Sequence, residues 1–288
     1  MGFRTVVVNS RAKLELRLNY LVYRGEVEKF IHLSEIDTLI IQSTAVAITV
    51  SLIAELSKRK IQTIFCDEKC LPISYLSCYS GNFHSSKNIP KQIAWNEQNK
   101  KLIWTDIIWH KIWYQKELLI KLEKEEHNIL SNYLEQIEFN DETNREGHSA
   151  KVYFNAMWGK EFTRRVSSDI NSALNYGYAI LLSSFAREIV SCGYITQLGI
   201  CHKNEFNVHN LACDIMEPYR ILVDKYVYAQ NFEGFGTSEK QKMVNILNLE
   251  IKINNITTVL TNGIGIYTQS VLSAIEEGDT EIIKYYEL

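Results

Sequence analysis

Proline is scarce in this 288-residue chain: only Pro72, Pro90 and Pro218 occur, beside an ordinary 13 glycines. That composition excludes a long Pro-rich or low-complexity linker. No run of about 18 uninterrupted apolar residues is present, so no membrane-spanning helix is expected. The nearest candidate, residues 173–190, is broken by Asn175, Ser183, Ser184, Arg187 and Glu188. The N-terminus lacks the charged-then-apolar pattern of a secretory leader. The six cysteines therefore read as reduced thiols of a cytoplasmic protein. Among them, Cys66, Cys70 and Cys78 with His84 match no common zinc-finger spacing. Gly234-Phe235-Gly236 and Gly263-Ile264-Gly265 lack the third glycine and the strand–turn–helix setting of a dinucleotide site. No Walker phosphate loop occurs either, which argues against a nucleotide-driven enzyme. The net charge of −3 neither requires nor excludes nucleic acid, because a local basic patch is enough to bind phosphates.

The chain does contain two kinds of hydrophobic period. Up to about residue 81 the pattern is mostly period two, which predicts strands at residues 5–8, 14–22, 30–33, 38–41, 61–66 and 73–76 and one helix over 45–60. Ser80-Gly81-Asn82, followed by Ser85-Ser86-Lys87-Asn88, marks a boundary. After Pro90 the period becomes helical. Residues 95–113 carry a wide apolar face in which the Trp series reads as core. Residues 118–133, 146–158, 172–190, 222–230 and 240–253 follow as helices, and residues 269–277 with 280–286 as a terminal helical pair. Gly177, inside the 172–190 helix, implies close packing. The fold class is therefore α+β: a small strand-rich domain (1–81), a linker (82–90) and a larger all-helical domain (91–288).

Two separate segments supply candidate chemistry. Around residues 198–220, a histidine on a Gly-led loop, His202, precedes a short helix that Asn210 is placed to cap. That helix carries Asp214 and Glu217 three apart on one edge, opposite Leu211, Ala212 and Ile215. Pro218 interrupts it. Upstream, the wheel of residues 150–158 extends back to put Glu146 on the inward stripe with Ala150, Tyr153 and Met157, a costly place for a carboxylate unless a cation meets it. Taken alone, the 198–220 segment favours an N-capped helix with a solvated acidic face, and Glu146 reads equally well as an exposed N-terminal acid answering the helix dipole. Two carboxylates and an imidazole together suit a divalent ion such as Mg²⁺ or Mn²⁺ and phosphodiester chemistry. Arg145, Arg164, Arg165 and Lys203 are candidate DNA contacts. A Cys201–His202 nucleophilic pair is the weaker option, since adjacent residues seldom face each other.

These motifs resemble one family, the CRISPR-associated spacer integrase, the catalytic subunit of the adaptation complex. The likeness rests on Arg145-Glu146-Gly147 with Tyr153-Phe154, on residues 171–178, on Gly199 to His202, and on Asn210-Leu211-Ala212-Cys213-Asp214-Ile215-Met216-Glu217. Residues 31–36 with Leu39-Ile40-Ile41 resemble its N-terminal β-domain, and the spacing looks like the type II branch. The resemblance implies that Glu146, His202 and Glu217 are metal ligands, with Asp214 an accessory acid; His209 is a second candidate imidazole, but the match places the ligand at His202. It implies Mg²⁺- or Mn²⁺-dependent transesterification, in which 3′-hydroxyl ends of captured double-stranded DNA join a CRISPR repeat. It further implies a prokaryotic cytoplasmic setting, a homodimer, a small ferredoxin-like adaptation subunit and the RNA-guided effector nuclease as partners, and no membrane. The competing readings are a metal-dependent endonuclease or phosphoesterase that only shares the site, and a non-catalytic helical DNA-binding scaffold.

Overall fold

β-Branched runs near the N-terminus pair into two small sheets. The structure, a computed structural model, describes residues 4–76, 84–230, 232 and 234–288. β1 (Arg4–Val8), β2 (Ala12–Arg17), β3 (Tyr20–Arg24), β4 (Glu28–His32), β5 (Ile36–Ile41), β6 (Val46–Ile48), helix α1 (Val50–Lys58), β7 (Gln62–Cys66) and β8 (Pro72–Tyr75) follow in order. One sheet runs β1-β5-β7-β8 and the other β4-β3-β2-β6. β5 is central and parallel to both neighbours, and it is buried along nearly its whole length, as a parallel strand covered on both faces must be. Leu14, Leu21, Leu33, Leu39, Leu52 and Leu56 fill the core of this region.

Two expectations fail here. The alternation over residues 14–22 is a hairpin, β2 against β3 with Arg17 opposite Tyr20. The turn contains neither Gly nor Pro; Leu18 takes a left-handed φ of 56° and is 85 % exposed. Residues 45–60 are likewise not one helix: β6 pairs with β2 first, and α1 begins only at Val50.

The second part starts with α2 (Ser85–Ile93), so the expected linker already turns helical at Ser85; Gly81, Asn82 and Cys78 lie outside the described residues. α3 (Glu97–Lys121), α4 (His127–Glu135), α5 (Arg145–Trp158), α6 (Asp169–Ser191), α7 (Asn210–Ile215), α8 (Arg220–Gln230) and α9 (Thr237–Val244) come next. β9 (Glu250–Ile253), β10 (Ile256–Val259), α10 (Leu260–Glu277) and β11 (Tyr286–Glu287) complete the chain. This part is mostly rather than wholly helical, because residues 250–253 and Tyr286, expected in helices, join β10 together with Glu287 in a three-stranded sheet. The short alternation of residues 250–253 is masked by the neighbouring apolar pairs Met243-Val244 and Ile246-Leu247. The 118–133 helix also breaks, at Glu123 with φ 54°.

α6 is the central helix, buried on most sides. A side chain at Gly177 would strike Val223 Cγ1 at 2.4 Å and Met243 Cε at 2.7 Å, so glycine lets α8 and α9 approach α6 closely. Gln42 donates to Tyr176 Oη at 2.8 Å, and Ile40 and Ile64 join the helical core, which ties the first sheet to α6. Of the Trp series, Trp95 and Trp104 are core as expected, but Trp109 is 38 % exposed and stacks on Trp113. Among the described residues no helix is long and apolar enough to cross a membrane.

Candidate functional site

Glu146 is positioned by a built helix start. Asn144, left-handed at φ 53°, caps α5 by accepting from the Gly147 N–H, and the Asp141 carboxylate accepts the N–H groups of Arg145 and Glu146 at 2.7 and 3.0 Å. The Glu146 side chain, 34 % exposed, turns toward α3. There Lys111 Nζ lies 2.5 Å from Glu146 Oε1 and 2.6 Å from Glu217 Oε2. Lys111 is only 7 % exposed.

Glu217 sits in the 3₁₀ turn Glu217–Tyr219 that joins α7 to α8, where Pro218 interrupts the helix. Tyr286 of β11 donates to the Pro218 carbonyl at 3.1 Å, so the small terminal sheet props this turn. Burial opposes ionisation of Glu217, but Arg220 and Lys111 hold its carboxyl below the usual range.

His202 is organised by Asp214. Asp214, fully buried, accepts the backbone N–H groups of Ile200, Cys201 and His202 at 2.6, 3.0 and 3.2 Å, and also bonds His202 Nδ1. Any Cβ at Gly199 would meet Asp214 Oδ2 at 2.6 Å and the His202 carbonyl at 2.5 Å, so the loop can close on the carboxylate only with glycine there. The Asp214 hydrogen bond raises the His202 pKa, and Glu217 and Glu146 both add to the rise. The imidazole therefore lies within electrostatic reach of both acids.

The two acids of the 210–217 helix thus do different work. Neither is solvated: Asp214 binds the loop and Glu217 meets Lys111. Asn210 is the first helical residue, not the cap, which is His209; its amide instead donates to the carbonyls of Gln197 and Asn204. His209 lies elsewhere, beside Tyr75 in a cavity with α6 and β8, where desolvation lowers its pKa. Burial and Asp214 push the Cys201 thiol up to about 11, the opposite of an activated nucleophile.

A cavity of about 230 Å³ opens beside the acids, lined by Lys111, Glu146, Arg164, Tyr178, Glu217 and Arg220 among others. Of the candidate DNA contacts, Arg164 lines it, held by Asn171 and Asn175. Lys203 lines a neighbouring cavity with His202. Arg145 stacks over Tyr133 instead, and Arg165 is exposed and outside both cavities. Lys111 and Arg220 were not singled out as site residues; the available signal was a lysine on the buried α3 stripe with Ile107, Ile108 and Leu118.

The donor set fits a hard divalent ion. Glu217 Oε2 is buried and receives no hydrogen bond of acceptable geometry, although an ammonium nitrogen is near. It shares that point with a second carboxylate, within electrostatic reach of an imidazole whose other nitrogen is fixed by a buried acid, the usual support of a metal-binding histidine. Among the described residues, however, no three such side chains are already gathered around one ion position; Lys111 stands between the acids.

Beneath the cavity Asp224 is 2 % exposed, and Tyr178 Oη donates to it. Burial pushes its pKa up from 3.8 to about 6. The native state then holds this proton more tightly than the unfolded chain, so the contribution of Asp224 to stability falls as pH rises from about 4 to about 6. Asp224→Asn avoids that loss. Its stability relative to the parent is expected to improve by up to about 3 kcal/mol between pH 4 and pH 7, read from denaturant midpoints at both pH values. A constant difference would contradict it.

Comparison with known proteins agrees with this architecture. The family described as CRISPR associated protein Cas1 matches residues 5–231. The CRISPR-associated endonuclease Cas1 of Neisseria meningitidis is 30 % identical over 260 residues, 88 % of this chain and 86 % of that protein. Among solved structures, a casposase bound to integration product superposes with a TM-score of 0.72 at 18 % identity, covering 97 % of this chain and 92 % of that one. A chain of a Cas6-RT-Cas1–Cas2 complex gives 0.76 at 19 %, covering all of this chain and 36 % of that longer one. The chain belongs to the CRISPR-associated protein Cas1 family.

Proposed function

We propose that Glu146, His202 and Glu217 form the metal site at which this Cas1-family protein performs metal-dependent nuclease and integrase chemistry in CRISPR spacer acquisition. The observation that carries the reading is the meeting of Glu146 and Glu217 on one cation position, with His202 held nearby by Asp214. A divalent ion bound there, Mg²⁺ or Mn²⁺, supplies charge neutralisation and Lewis acidity to a phosphodiester. The protein's own groups do the rest. Asp214 fixes the His202 ring so that Nε2 is the nitrogen left to coordinate. Arg164 and Arg220 place two cations on the cavity wall for phosphate oxygens. The 3′-hydroxyl of a captured DNA duplex is the nucleophile, so the site needs positioning more than an activated side chain.

The finer reading is an integrase of the type II branch that inserts into a CRISPR repeat, partnered by a small ferredoxin-like adaptation subunit and the RNA-guided effector. The Cas6-RT-Cas1–Cas2 likeness is in keeping with a Cas2-type partner. Self-association through the strand-rich part, divided from the helical part near residues 82–90, is supported by the exposed Tyr20, Val27 and Phe30 around edge strand β4. A joining assay with a 3′-hydroxyl duplex and a repeat-bearing plasmid tests the reading. Metal-dependent joined product is the expected result. Hydrolysis without joining would reduce the protein to a nuclease, and binding unchanged by Glu146→Ala or Glu217→Ala would leave only a scaffold.

A further inference from the structure

Lys111 carries an inference beyond the metal site, and it rests on that reading. Its ammonium nitrogen fills the point between the two carboxylates, 2.5 Å from Glu146 Oε1 and 2.6 Å from Glu217 Oε2. A divalent ion bridging the same oxygens needs bonds of about 2.0–2.2 Å, which the ammonium in that position excludes. Charge points the same way. Glu146 and Glu217 are already offset by Lys111 and Arg220, so the four side chains sum to zero, and a divalent ion added to them leaves two uncompensated positive charges beside a buried turn.

The geometry also shows where the lysine can go. Lys111 reaches its place on a flexible four-carbon stem, and the adjoining cavity, which Lys111 itself lines, is walled by Arg164, Tyr178 and Arg220. The Glu217 contact lies outside hydrogen-bonding geometry and holds the ammonium by charge alone, whereas Glu146 accepts a hydrogen bond from it.

We propose that Lys111 is a resident counter-cation that competes with the divalent ion for Glu146 and Glu217, and that on metal binding its ammonium swings into the cavity to meet a DNA phosphate. Metal loading and DNA binding then reinforce each other. The protein alone holds metal weakly, and a phosphate anion supplies both a destination for the displaced ammonium and compensation for the added charge. Because such coupling is reciprocal, metal must tighten DNA by the same factor as DNA tightens metal.

Titration of Mn²⁺ by electron paramagnetic resonance tests this on the full chain, with and without a duplex whose 3′ ends are deoxygenated so that no joining occurs. Lys111→Met is expected to bind Mn²⁺ at least tenfold more tightly than the parent without DNA. The duplex is expected to tighten Mn²⁺ at least tenfold in the parent and less than threefold in the variant. Should the methionine variant not fold, Lys111→Gln carries the same titration. A variant that binds Mn²⁺ no more tightly than the parent overturns the role of Lys111 and leaves the metal site standing. If neither parent nor variant binds Mn²⁺, even with DNA, the metal site itself falls, and this inference with it.

Discussion

His202→Ala is expected to lose DNA joining by at least about a thousandfold while keeping its fold and its duplex affinity measured without metal. A metal's electrostatic contribution is worth several kcal/mol, and about 4 kcal/mol corresponds to that factor. The fold should survive because the imidazole is half exposed, 49 % by side chain, so truncation opens no core cavity. Asp214 keeps its three backbone donors from Ile200, Cys201 and His202, so the loop remains anchored. His209→Ala is the matched control: its ring sits against Tyr75 in a different cavity, and joining should stay near the parental rate. An active His202→Ala beside a dead His209→Ala would move the imidazole ligand to the other histidine.

Glu217→Ala and Glu146→Ala are both expected to abolish joining, yet to separate in stability. Glu217 is 6 % exposed and faces both Lys111 and Arg220. Removing it takes the shared carboxylate from two cations at once, Lys111 and Arg220, at a buried position, at a cost of about 3 kcal/mol, or roughly 6–12 °C in Tm. Glu146 is a third exposed and stands in the first turn of α5, where its loss costs about 1 kcal/mol from a weakened ion pair and helix dipole. Thermal melts of the two variants, set beside their joining assays, check this. Equal melting points would mean that the Lys111 cluster is not arranged as described.

The acids were readable from sequence because helical spacing is a local property. Projecting Glu146 onto the stripe of Ala150 and Tyr153 put a carboxylate inside the helix packing, and that is where the Lys111 contact lies. Spacing alone could not divide the labour of Asp214 and Glu217, which depends on the 199–202 loop folding back onto one and on α3 crossing the other. Lys111 was hidden for the same reason: a lysine among apolar residues announces a buried charge, but its partners are distant in the chain. The misread elements share a cause. The hairpin at Leu18 turns without glycine or proline, so alternation runs through it unbroken. β9 and β11 are too short for period two to outweigh the helical pattern beside them; β9 is held between β10 and β11, and β11 by β9 alone.

Anomalous diffraction from a crystal of the protein with Mn²⁺ and a 3′-deoxy duplex addresses the proposed metal centre most directly. One manganese peak within about 2.4 Å of carboxylate oxygens of Glu146 and Glu217 and of His202 Nε2, with Lys111 Nζ drawn away toward a phosphate, is the predicted result. A manganese peak at His209 or at exposed carboxylates, with Lys111 still bridging Glu146 and Glu217, would contradict it.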